Sequence, residues 1–250
     1  MRAEEWISAT AVRSKTEEGL RLLKKGIPLG VDDRGETVFS QRREHTFTAR
    51  HTCVTGANRT DFIKRLVITL SQLYQGAEAC FLVASPRASY GELMKLKTVD
   101  VTVPFVRSKA DIEDVKKCVC EIVEQQTVGQ GCAKLVLILD GLEEIADCNE
   151  NGDLEEYRTF LELLARRESV DVITGVELMQ SIFSGYPGAF VGVGNCLVTT
   201  KSDGSADVTY VDDDSSLSLP TAMAYPNIPS VAETVLFLNA LPKAGGGFGV

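Results

Sequence analysis

The stretch Thr52-Cys53-Val54-Thr55-Gly56-Ala57-Asn58-Arg59-Thr60-Asp61-Phe62 has the outline of a phosphate-binding loop without its lysine. An intact loop of that kind reads G-x-x-x-x-G-K-[ST]. Its glycines let backbone N–H groups close on a phosphate, and its lysine reaches the terminal phosphates. Aligned without gaps, Cys53 and Asn58 fall on the two glycines, Arg59 on the lysine and Thr60 on the magnesium-binding hydroxyl. Aligned with a short deletion, Gly56 becomes the first glycine and the loop is too short to wrap a β-phosphate. Asparagine enters the left-handed backbone region less freely than glycine, and cysteine hardly at all. Arginine keeps the positive charge, but its planar fork does not reproduce a compact ammonium.

The surroundings of the loop are those of a strand, a turn and a helix. Residues 46–54 form a strand candidate. Residues 59–75 form a helix candidate carrying Phe62, Ile63, Leu66, Val67 and Leu70 on an apolar stripe. Phosphates sit on helix N-termini in this context, drawn by unpaired N–H groups and the helix dipole. Two readings stand at this point: retained phosphate binding, or Asn58 and Thr60 serving only to cap the helix.

Working outward, strand-like and helix-like segments alternate. Residues 27–31 and 37–39 read as a hairpin around Asp32-Asp33-Arg34-Gly35. Residues 79–84 form a strand, 90–96 a short helix and 99–106 another strand. A helix covers 110–126, where Ile112, Val115, Val119, Ile122 and Val123 recur at helical spacing. Lys134-Leu135-Val136-Leu137-Ile138-Leu139-Asp140 is a continuous apolar run, as expected of a central parallel strand covered on both faces. A helix over 154–167, strands over 170–175, 189–200 and 207–211, and an irregular tail broken by Pro220, Pro226 and Pro229 complete the chain. Such alternation argues for an α/β domain with a mostly parallel sheet.

The second chemical element is the acid that ends the apolar run. In phosphate-loop hydrolases such a strand delivers its acid to magnesium, and a following acid often polarises the attacking water. Here Gly141 follows Asp140. Glu143 and Glu144 come slightly later, as weak candidates for a catalytic base and equally as first-turn acids facing water.

Composition sets the outer bounds. The 250 residues are 44% apolar and 24% charged, enough for a full buried core. A net charge of -9 argues against bulk electrostatic binding of nucleic acid. Seven cysteines without a C-x-x-C pair, beside only two histidines, read as reduced thiols packed as small hydrophobes rather than as a zinc site. No apolar run is long enough to span a bilayer, so the chain is expected to be cytoplasmic.

Loop and acid strand together resemble the FtsK/SpoIIIE/HerA group of ring-forming motor ATPases. Ile27-Pro28-Leu29-Gly30-Val31-Asp32-Asp33 is similar to a segment that this group carries before its phosphate loop. Leu163-Leu164-Ala165-Arg166-Arg167 followed by the strand Val170-Asp171-Val172-Ile173-Thr174-Gly175 is similar to its segment after the magnesium acid. Within the group, Gly56-Ala57-Asn58-Arg59-Thr60 looks closest to the degenerate ATPase domains of type VII secretion proteins of the EccC/EssC type.

The resemblance implies a three-layer, P-loop NTPase-like (RecA-like) α/β fold with a mostly parallel sheet, an N-terminal helical arm and a hairpin. The expected organisation is an arm over 1–26, a degenerate ATPase domain over 27–243 and a flexible tail over 244–250. It gives Gly56, Ala57, Asn58, Arg59 and Thr60 vestigial nucleotide contacts and Asp140 a vestigial magnesium contact, with ATP and magnesium bound weakly or not at all.

Losing one charge-stabilising donor typically costs a factor of about 10²–10³ in rate, and here lysine, glycine and second acid are missing together. The expectation is a non-hydrolysing docking, regulatory or assembly module of a translocation machine. Its partners would be other ATPase domains or subunits and secreted polypeptides, and it would lie at the membrane only through a larger parent chain or a partner. Two alternatives stay open: an active motor ATPase moving polypeptide or DNA, the latter disfavoured by the net charge, and a nucleotide- or phosphate-binding sensor.

Overall fold

The run Lys134–Asp140 is buried at all seven positions, so both of its faces must be covered, and this requirement organises the domain. The computed structural model describes residues 26–40, 51–74, 79–97, 99–141, 159–161, 163–176, 196–210, 217–225 and 230–240. Among them, ten strands form one sheet. In chain order these are β1 (Pro28–Val31), β2 (Thr37–Phe39), β3 (His51–Gly56), β4 (Ala79–Ala84), β5 (Asp100–Thr102), β6 (Lys134–Asp140), β7 (Val170–Gly175), β8 (Cys196–Thr200), β9 (Ser205–Tyr210) and β10 (Thr221–Ala224). Their spatial order is β2-β1-β10-β9-β8-β3-β7-β6-β4-β5. The strands from β8 to β5 pair in parallel, and those from β2 to β8 pair antiparallel.

Alternation along the parallel strands sends side chains into two separate cores, giving three layers. Phe81, Val83, Val136 and Ile138 join one cluster with Phe62, Ile63, Leu66 and Val67 of helix α1 (Arg59–Leu73). Leu82, Leu135, Leu137 and Leu139 join the other with Ile112, Val115, Val119 and Val123 of helix α2 (Lys109–Thr127). Helix α2 starts at a capping box, in which the Ser108 hydroxyl accepts the Asp111 N–H while the Asp111 carboxylate accepts the Ser108 N–H. A 3-10 helix (Ala88–Lys95) and helix α3 (Val231–Ala240) cover the first core, tied together by Asn239 Nδ2 donating to the Lys95 carbonyl.

The sequence-based elements are recovered around the site, with differences at the margins. The strand expected over 99–106 is cut to Asp100–Thr102, with an isolated bridge from Ser85 to Phe105; Pro104, lacking an N–H, interrupts the ladder. The tail is more regular than expected. Pro220 lies just before β10, so its missing donor falls outside the ladder, and β10 joins the hairpin to β9. Residues 159–161 and 163–165 are helical, within the helix expected over 154–167. Residues 1–25 of the arm expected over 1–26, the tail over 244–250, and Glu143 and Glu144 lie outside the described residues.

Candidate functional site

The loop lies at the carboxyl end of β3, where open α/β sheets bind their ligands. Its path is set by contacts with the neighbouring β8. Gly56 has φ 100, and a Cβ there would collide with the Thr200 backbone oxygen. Only glycine meets both conditions without strain. The Thr200 hydroxyl donates to the Thr55 carbonyl at 2.8 Å and accepts the Asn58 N–H at 3.2 Å. Asn58 Nδ2 donates to the Lys201 carbonyl at 2.8 Å. Asn58 therefore occupies the N-cap position of α1 without a side-chain cap bond. The loop spends its polar groups on the sheet beside it.

From α1 the Arg59 side chain crosses to Asp140 at the end of β6. Arg59 Nε stands 2.7 Å from Asp140 Oδ1, with the two side chains 4% and 0% exposed. The other oxygen, Oδ2, accepts the Tyr90 hydroxyl at 2.8 Å and the Thr60 hydroxyl at 3.2 Å. One carboxylate oxygen is thus paired with the guanidinium, and the other is hydrogen-bonded by two hydroxyls. The strand β7 separates β3 from β6, and Gly175 at its end leaves room for the carboxylate: a Cβ at this position would overlap Asp140 Oδ1. Burial raises the Tyr90 phenol well above its ordinary value, and the Asp140 charge raises it further, so Tyr90 stays protonated and remains a donor.

Of the residues singled out from sequence, the structure brings Arg59, Thr60 and Asp140 into direct contact and sets Gly56, Ala57 and Asn58 in the turn beside them. Sequence reading missed Tyr90, whose partner depends on the adjacency of β4 and β6, and Tyr225. The Tyr225 ring packs edge-on against Phe62 at 5.0 Å, beneath Arg65 at 5.3 Å, and Arg65 pairs with Asp61 at 2.6 Å. An open cleft of about 730 Å³ lies over residues 56–61, with Lys64, Arg87 and Ser89 on its wall. Arg166 and Arg167 are exposed.

Among the described cysteines, Cys53 and Cys196 are buried, Cys80, Cys118 and Cys132 are partly buried and Cys120 is exposed, all as free thiols. The expectation of packed thiols holds for the first two. No helix among the described residues is long and apolar enough to cross a membrane.

The sequence matches no family profile and no curated protein. The fold is nevertheless that of known ATPase domains. The cytoplasmic domain of the Thermomonospora curvata type VII secretion ATPase EccC superposes with a TM-score of 0.57 at 14% identity, over 82% of this chain and 26% of that one. EssC (ATPases 2 and 3) from Geobacillus thermodenitrificans gives 0.55 at 13%, over 88% and 50%. Thermomonospora curvata EccC (ATPases 2 and 3) in complex with a signal sequence peptide gives 0.52 at 16%, over 82% and 42%. This chain spans between about a quarter and a half of the length of these structures.

Proposed function

We propose that this chain is a non-hydrolysing ATPase-fold domain that acts as a docking, regulatory or assembly module in a translocation machine of the type VII secretion kind. The observation that carries this reading is the buried contact between Arg59 and Asp140. A magnesium ion would need an open oxygen on Asp140. Instead one oxygen faces a guanidinium, a cation that repels another cation, and the second accepts two hydroxyls. The residues present therefore do not suit a magnesium–nucleotide complex. The phosphate nest is reduced in the same way, since the Asn58 N–H is turned to Thr200.

Partners on this reading are the other ATPase domains or subunits of the machine and the polypeptides it exports, in the cytoplasm or at the membrane through a larger chain or partner. Support comes from the shared fold with EccC and EssC, one of which holds a signal sequence peptide.

A phosphate sensor is the second reading, favoured by Lys64 and Arg87 on the cleft wall. Titration of the purified chain with ATP, with and without magnesium, separates the readings. The expected result is no saturable binding up to about 1 mM, an affinity worth only about 4 kcal/mol, and phosphate release equal to that of Asp140→Ala. Magnesium-dependent turnover that Asp140→Ala abolishes would overturn the proposal, and magnesium-independent binding of ATP or phosphate would favour the sensor.

A further inference from the structure

We propose that Arg59 is a built-in cation that stands where a bound metal ion would otherwise balance Asp140, so that the arrangement of this site is fixed without any ligand. This rests on the non-hydrolysing reading and adds how the site is held. Three segments distant in sequence meet at one carboxylate: the start of α1 through Arg59 and Thr60, the 3-10 helix through Tyr90, and β6 through Asp140 itself. With Asp140 at 0% and Arg59 at 4% exposure, water cannot replace either partner. An unbalanced carboxylate at such a depth is among the costliest groups a fold can contain.

The geometry suits a permanent strut better than a gate. The guanidinium is a planar, weakly hydrated cation able to stay buried beside a carboxylate. Thr60 and Tyr90 add charge-assisted hydrogen bonds on the oxygen that Arg59 Nε does not contact, so the carboxylate is held from both sides. Gly175 completes the enclosure, because any side chain there would displace Oδ1. Tyr90 acts here as a positioning residue for Asp140.

The test is thermal unfolding of the full chain with and without millimolar Mg²⁺ or Mn²⁺, in the absence of nucleotide. Wild type is expected to ignore both metals. Arg59→Ala is expected to lower Tm by roughly 6–20 °C. Mn²⁺ is expected to restore at least half of that loss, because the vacated place beside Asp140 and Thr60 then accepts a divalent ion. The double variant Arg59→Ala/Asp140→Asn is expected to show no metal response.

If Arg59→Ala does not fold, Arg59→Lys and Tyr90→Phe carry the test, each expected to melt below wild type. A wild-type Tm that rises with metal alone, an Arg59→Ala variant as stable as wild type, or a destabilised Arg59→Ala that metal leaves unchanged would each overturn the inference. Arg59→Lys and Tyr90→Phe melting with wild type would do the same. Magnesium-dependent ATP turnover by wild type would instead defeat the non-hydrolysing reading, and these metal-only measurements are made without nucleotide.

Discussion

Gly175→Ala is the most informative single change in this domain, because one methyl group tests the geometry of the whole site. A Cβ built at Gly175 overlaps Asp140 Oδ1, lies 3.0 Å from its Cγ and comes to 2.9 Å from Ile63 Cδ1. Asp140 and Ile63 are both 0% exposed, so neither can swing into solvent. The carboxylate must retreat by roughly 1 Å to restore ordinary van der Waals contact. Oδ1 is the atom that Arg59 Nε approaches to 2.7 Å, and a retreat of that size weakens the ion pair.

Overpacking of this kind costs about 1–3 kcal/mol. Loosening the buried ion pair adds about 1.5–2.5 kcal/mol, roughly half the cost of breaking one outright. The lower chain entropy of the unfolded alanine variant offsets about 0.4–1 kcal/mol of this. The net expectation is a loss of about 2–5 kcal/mol, read as a lower urea midpoint at unchanged slope.

Gly91→Ala is the control, since a Cβ there has nothing within 4 Å, and it is expected to unfold within about 1 kcal/mol of wild type. In an Asp140→Ala background, the Gly175→Ala change should cost at least about 1 kcal/mol less than in wild type, because the atom it strikes is gone. A Gly175→Ala protein as stable as the Gly91→Ala control, or equal costs in both backgrounds, would refute the placement of the carboxylate against β7.

Two further outcomes follow from other parts of the molecule. His51 is fully buried with Nε2 2.8 Å from Thr174 Oγ1, and burial pushes its imidazole down from 6.5 to about 4. Its contribution is complete above pH 6.5 and lost as pH falls towards 4, about 3 kcal/mol in all. Urea titrations between pH 7 and 4 should therefore be steeper for wild type than for His51→Gln. At the start of α2, Ser108→Ala removes the hydroxyl that accepts the Asp111 N–H, with an expected cost of about 1 kcal/mol by chemical denaturation.

The parts of the fold that could be read from sequence are those decided by local composition. An uninterrupted apolar run such as Leu135 to Leu139 has to be a doubly covered strand, and its burial throughout follows. The stripe of Phe62, Ile63, Leu66, Val67 and Leu70 likewise fixes one face of α1 against the sheet. Contacts that depend on which strands are neighbours were not legible. Asn58 has every local property of a helix cap, yet its side chain goes to Lys201, because β8 lies against β3. Tyr90 gains its partner only once β4 pairs with β6. The strand at Thr221–Ala224 was hidden by the prolines around it, since a short segment of that kind becomes a strand only when β9 and β1 offer edges on both sides.

On the proposed reading, the same distinction accounts for the differences between this loop and the phosphate-loop consensus at several positions together. A carboxylate at the buried end of β6 requires a cation, supplied either by a ligand or by the chain. If Arg59 supplies it, as proposed, no phosphate has to be cradled and consensus glycines have no physical purpose here. Cys53 can then be an ordinary buried strand residue of β3, and Asn58 can tie the turn to Thr200 and Lys201. An arginine suits this role better than a lysine, because its fork can lie beside a carboxylate with little hydration to lose, whereas an ammonium in the same place gives up more water for one point contact. On the proposed reading, the arginine at position 59 and the absence of loop glycines have one physical cause: the charge of Asp140 is balanced by the folded chain itself and not by a bound ion.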